Sequence, residues 1–288
     1  MASFSIWNLE YAYVENYHMS GIIYGAHNEG FRKLPYCYTV IKGNGHTVMV
    51  DTGYKNEGGG QKMAEMFGVT GWHSPKEVLG EVGVRPEDVD MVFITHSHFD
   101  HLGNLHAFKN AEFFMQEKEL FAFLKTMSLP RRLQWPMVAV NPNDVMRAAE
   151  LVKNGRLTLI DGDVFDVLPG IDLFAALDTH TPGSMYVRVR NESGQKKEPW
   201  IVAGDLVYSY EQFGGREGSE GLYVPVGLAT GSQSKLVAIM DKMVAELDND
   251  FKKVIPIHDV ELKNIFPSRL TDKGLQINEI VVGDAQAG

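Results

Sequence analysis

Cysteine is almost missing from this chain: 288 residues contain one, Cys37. A lone thiol cannot close an internal disulfide, so a disulfide-stapled scaffold is excluded and a reducing, cytoplasmic setting is expected. Cys37 lies in the apolar segment Leu34-Pro35-Tyr36-Cys37-Tyr38, where a thiol reads as inert core and not as a nucleophile. Long apolar runs are also missing. No stretch approaches the roughly 20 residues needed to span a bilayer. Residues 1–10 lack the basic stretch and apolar core of a signal peptide. Positive charge is scarce as well. With 27 basic and 37 acidic residues the formal net charge is −10, the wrong sign for a phosphate backbone or an anionic membrane surface. Neither nucleic acid nor membrane is expected as a partner; a small-molecule substrate is.

What is present is ordinary globular composition, 44% apolar and 22% charged. The length allows one large core, and residues 1–288 read as a single domain. Tyr36–Ile41 and His46–Asp51 are β-rich runs joined by Lys42-Gly43-Asn44-Gly45, a hairpin signal. A short helix is expected at Gln61–Phe67, and Ser74-Pro75 caps another that runs to about Val82. Val89–Thr95 is a continuous apolar run, as in a strand buried on both faces. Ala111–Gln116 reads as a strand and Glu117–Met127 as a helix. Residues 128–150, broken by Pro130, Pro136 and Pro142, read as an irregular insertion, a candidate lid, ending in a helix at Asn143–Lys153.

The second half opens with three expected strands, Arg156–Asp161, Val164–Val167 and Ile171–Asp178, and adds the pair Met185–Arg190 and Pro199–Ala203. Ser232–Leu247 has apolar residues at helical spacing, and Val254–Ile257 is a last buried strand. This order implies two similar halves packed together, sheets inside and helices outside.

The chemistry concentrates in His96-Ser97-His98-Phe99-Asp100-His101, directly after the Val89–Thr95 run. Neutral imidazole and carboxylate are the donors that zinc and similar divalent ions take. An extended strand end points His96 and His98 to one side. Asp100 and His101 follow where the chain turns and can face a second point. One loop therefore begins two metal sites. Three further donors stand where an apolar strand breaks into a polar turn: His180 before Thr181-Pro182-Gly183-Ser184, Asp205 in Ala203-Gly204-Asp205, and His258 in Ile257-His258-Asp259. The aromatic N-terminal segment, including Trp7, Tyr11, Tyr13, Tyr17 and Tyr24, reads as core or as the interface of a homodimer, with a substrate pocket as the alternative. Trp135, Met137, Phe213 and Tyr223 are further pocket candidates.

The set Asp51-Thr52-Gly53, His96-x-His98-x-Asp100-His101, His180-Thr181-Pro182-Gly183-Ser184, Gly204-Asp205 and His258 resembles the metallo-β-lactamase superfamily, in that family's order. The resemblance implies an α+β fold, a four-layer αββα sandwich, with a dinuclear centre between the sheet edges. It implies His96, His98 and His180 on one ion, Asp100, His101 and His258 on the other, Asp205 bridging, and Asp51 orienting the ligand loop. Two divalent ions are implied, Zn²⁺ with Mn²⁺ and Fe²⁺ as alternatives. Within the family the chain is similar to the N-acyl-homoserine lactonases, through Asp205-Leu206-Val207-Tyr208 and Ile257-His258-Asp259. That implies opening of a lactone by a metal-bridging hydroxide, with Tyr208 over the carbonyl and Asp100 moving the proton. The alternatives are a thioester, a cyclic amide or a phosphotriester on the same centre, and a non-catalytic binding protein of the same fold.

Overall fold

A computed structural model describes residues 3–193, 196–215 and 220–283. In chain order the strands are β1 Phe4–His18, β2 Phe31–Gly43, β3 His46–Val50, β4 Met91–Phe93, β5 Glu112–Gln116, β6 Leu157–Ile160, β7 Val164–Leu168, β8 Ile171–Leu177, β9 Gly183–Ser193, β10 Lys196–Val202, β11 Val254–Ile255, β12 Ser268–Leu270 and β13 Gln276–Val281. They form two mixed sheets. The first runs β12-β13-β1-β2-β3-β4-β5-β6 and the second β11-β10-β9-β8-β7.

A layer of apolar side chains fills the space between the sheets. Phe4, Ile6, Val48, Val50 and Phe93 come from the first sheet, and Leu173, Val187 and Val202 from the second. A larger cluster joins the other sheet faces to helices. It includes Leu79 from helix Pro75–Gly80, Leu120 and Phe123 from Glu117–Met127, and Leu236 and Met240 from Gln233–Ala245. Helices outside two packed sheets make the αββα sandwich, an α+β fold.

The β2–β3 hairpin turns at Asn44 and Gly45, both at positive φ (51° and 82°), the backbone an Asn-Gly turn favours. Helix Pro75–Gly80 has the capping box expected at its start, Ser74 paired with Glu77. Two expectations change, and a third, core packing of the N-terminal aromatics, holds for Trp7 and Tyr11. The strand at 157–160 does not open the second half: β6 is the edge of the first sheet, parallel to β5. The insertion shrinks, because helix Pro142–Lys153 begins before its end and residues 128–141 carry two short 3₁₀ turns, Arg131–Leu133 and Trp135–Met137. The N-terminal aromatic segment is largely β1, held between β13 and β2, with Trp7 and Tyr11 in the core.

Strand direction then places the polar loops. β3 and β4 run parallel, so Asp51 and the His96–His101 loop leave the first sheet at one edge. In the second sheet β8 and β10 are each antiparallel to β9, and β11 is parallel to β10. The carboxyl ends of all three share an edge, and from them come His180, Asp205 and His258.

Candidate metal centre

All seven expected donors meet at that edge, and all are buried. His96, His98, His180 and Asp205 form one group, and Asp100, His101 and His258 another; within each group the candidate ligand atoms lie within 4.8 Å of one another. Asp205 stands between the groups. Its Oδ2 is 3.1 Å from His180 Nε2 and 3.5 Å from His96 Nε2. Its Oδ1 is 3.1 Å from both His101 Nε2 and His258 Nε2. Each oxygen of one carboxylate thus addresses a different group.

Local structure explains the aim of each ring. After β4 the chain runs without regular structure to His98, itself extended, and the rings of His96 and His98 lie 4.5 Å apart. The short helix Phe99–Leu102 then turns Asp100 and His101 towards the second group. Outer contacts orient the rings. His101 Nδ1–H donates to Asp51 Oδ2 at 2.7 Å, and His258 Nδ1–H donates to the Pro35 carbonyl at 2.6 Å. His96 Nδ1 lies 3.0 Å from Thr95 Oγ1. Asp51 is fixed in turn by the Thr95 N–H (2.7 Å) and hydroxyl (2.8 Å). Gly204 is required by the fit: it has φ +54°, and a Cβ there would meet Thr95 at 2.9 Å.

The donor set fits divalent cations. Among the described residues the buried His96 Nε2 and His101 Nε2 have no hydrogen-bond partner, although carboxylate oxygens lie within 3.5 Å. His98 Nδ1 and His180 Nε2 face each other at 3.1 Å. Buried polar atoms without partners are costly, and converging lone pairs and anionic oxygens suit a cation. At His96 and His98 charge favours the same reading. Burial, with neighbouring imidazoles, holds His96 well below the usual range and His98 down at about 3, so both stay neutral and able to ligate. Burial also opposes charge on His101, but Asp205, Asp100 and Asp51 outweigh it and raise its pKa. Burial would lift Asp205, yet His101 and its neighbours hold its carboxyl well below the carboxylate range.

Tyr208 donates its hydroxyl to Asp205 Oδ2 at 2.9 Å, and its ring packs on His258 with centroids 4.6 Å apart. Burial, then Asp205, pushes its pKa well up, so the phenol keeps its proton. Tyr17, Phe67, Phe99, Ala139 and Leu228 help wall the cleft over these groups. Tyr17 is half-buried at the end of β1, with its phenol pushed to about 12, chiefly by burial. Cys37 takes no part; it is buried, and burial raises its thiol pKa well above the ordinary value.

One residue of the site escaped the sequence reasoning. Glu119, buried in the first turn of helix Glu117–Met127, accepts from Ser97 N–H (2.7 Å), Gly183 N–H (2.6 Å) and the Thr181 hydroxyl (2.9 Å). It ties the His96–His98 loop to the loop after His180. Burial lifts its pKa to about 6, against the pull of these hydrogen bonds. Its sequence signal was slight: an acid on the apolar side of an amphipathic helix.

Known proteins resemble this chain in sequence and in fold. N-acyl homoserine lactonases of a Bacillus species and of Bacillus cereus are each 25% identical to this chain, over 176 and 182 residues. The matches cover 61% of this chain and span 62% of the relatives' length. A probable metallo-hydrolase of Methanocaldococcus jannaschii is 46% identical over 41 residues, 14% of this chain and 20% of its own. Among solved structures, an N-acyl homoserine lactone hydrolase with N-hexanoyl-L-homoserine bound at its catalytic metal centre superposes with a TM-score of 0.62 at 19% identity, covering 92% of this chain and 97% of its own. The hydrolase AbOPH of the beta lactamase superfamily gives 0.66 at 18%, covering 98% and 96%. AidC, a dizinc quorum-quenching lactonase, gives 0.61 at 16%, covering 97% and 95%. At these identities the structures speak to the fold. The sequence pattern of the metallo-beta-lactamase superfamily matches residues 34–246. The chain therefore belongs to the metallo-beta-lactamase superfamily.

Proposed function

We propose that the chain is a dinuclear metal-dependent hydrolase that opens the ring of a lactone, with N-acyl-homoserine lactones as the leading class. The observation that carries this reading is Asp205, whose two oxygens each face one histidine group while Tyr208 donates to one of them. His96, His98 and His180 would hold one ion, Asp100, His101 and His258 the other, with Asp205 between them; zinc is the first choice for this nitrogen-rich set. Ions bound there supply Lewis acidity, which activates water and polarises a carbonyl.

The chain's own groups do the rest. Tyr208, kept protonated, turns its single O–H from Asp205 to the carbonyl oxygen as negative charge develops on it. Asp100 borders the cleft with Oδ2 3.3 Å from His101 Nε2. Its carboxylate takes the proton released when water adds and returns it to the departing ring oxygen. Phe67, Phe99 and Leu228 give the cleft apolar walls. No serine or cysteine nucleophile is needed. The lactonase relatives support this choice of substrate, and destruction of a lactone signal, quorum quenching, would be its consequence. The buried single thiol suits a reducing cytoplasm.

A substrate panel on metal-replete protein tests the reading: acyl-homoserine lactones, simple γ- and δ-lactones, a cyclic amide, a phosphotriester and a glutathione thioester. Lactones are expected to turn over fastest. Turnover of the thioester alone would replace this reading by a thioesterase.

A further inference from the structure

Beside the metal cleft lies a separate groove of about 750 Å³, between helix Gly58–Phe67 and residues 127–142. Met63, Met66, Met127 and Trp135 supply its apolar lining. Met66 and Trp135 are each 61% exposed. Large apolar side chains left exposed around one hollow mark a binding surface, and flexible methionines accommodate chains of varied shape. The same groove carries Lys62, Arg131 and Arg132, and among the described residues no carboxylate lines it. None of these three cations has an ion-pair partner among the described residues. In a chain of net charge −10 this is a local reversal of sign. An apolar trough rimmed by unpaired cations is complementary to an apolar chain that ends in an anion. The volume lies within the ~300–1,000 Å³ range of pockets for single small molecules, which favours one free amphiphile over a bilayer.

The groove and the metal cleft share walls. Met137, Val138 and Val140 line the groove, while Ala139 among them lines the cleft. On the helix, Met63 and Met66 line the groove and Phe67 lines the cleft. The Phe99 N–H donates to the Ala139 carbonyl at 2.8 Å, and the Phe99 ring stacks on Phe67.

We propose that this groove is a binding site for a free, medium- to long-chain fatty carboxylate, separate from the metal cleft. The carboxylate sits among Lys62, Arg131 and Arg132, and the chain lies along the methionines and Trp135. The test is calorimetric titration of the metal-replete full chain with dodecanoate below its micellar concentration. One saturable site per chain is expected. Dodecanol, which lacks the charge, should bind at least tenfold more weakly. The exposed double substitution Arg131→Glu/Arg132→Glu should weaken dodecanoate at least tenfold without moving the melting temperature. A second readout needs no charge reversal: dodecanoate should change tryptophan fluorescence, and Trp135→Phe should remove most of that change. Absence of saturation, equal binding of dodecanol, indifference to the charge reversal, or binding only to anionic phospholipid vesicles would overturn the proposal.

Discussion

At Asp205 and Tyr208 single atoms decide the chemistry. One phenol oxygen bonds one carboxylate oxygen, 2.9 Å away, and that carboxylate stands between two imidazole groups. Removing the hydroxyl tests whether it stabilises charge or only packs. Tyr208→Phe keeps the ring against His258 and should lower kcat about 100–1,000-fold with metal content unchanged, as expected for loss of one oxyanion donor. Unchanged kinetics would return the ring to a packing role. At this scale the sequence was most legible where the donors are local. His96 to His101 occupy six consecutive positions, so their chemistry is visible without a fold. Glu119 is the opposite case. Its partners lie 22, 62 and 64 residues away, so only the folded chain reveals that a helix acid braces two ligand loops.

Among the elements, those with one helical face or a strong turn were readable, as with Glu117–Met127 and the Asn44-Gly45 hairpin. β1 was not. Its first nine residues are all buried, between β13 and β2 and under both faces, so no polar alternation marks it as a strand. β12 and β13 were missed as well, since they read as strands only as the first sheet's far edge.

Close packing between elements gives a direct test. A Cβ at Gly183 would fall 2.3 Å from the Glu119 backbone nitrogen, which cannot yield as a flexible side chain would. Gly183→Ala should destabilise the protein by about 1–3 kcal/mol in chemical denaturation. An unchanged midpoint would contradict the contact between helix Glu117–Met127 and the start of β9.

Helix Pro142–Lys153 carries a pH signature. Asp144 in its first turn is pushed up to about 7, mainly by burial, with the Asn141 side-chain amide pulling the other way. A carboxyl whose folded pKa lies above its unfolded value contributes stability below the ordinary carboxylate range, and that contribution is lost as pH rises through about 7. Asp144→Asn should therefore gain on the parent between pH 5 and 8, by up to about 2–4 kcal/mol at the upper end. Melting curves across that range check it; a constant difference between the two proteins would contradict it.

For the whole molecule, two sheets facing each other bring the ends of β4, β8, β10 and β11 to one edge, and that edge makes the centre. The pairing of strands is long-range information, which is why the ligand types were legible while the assignment of β6 to the first sheet was not. On this reading the assembled edge holds two divalent ions. Its most direct measurement is metal content per chain by elemental analysis after metal-supplemented expression and exhaustive dialysis. Two ions per chain are expected, falling to one or none when Asp205 is replaced by alanine in a variant that still folds. Fewer than one ion per parent chain would contradict this reading.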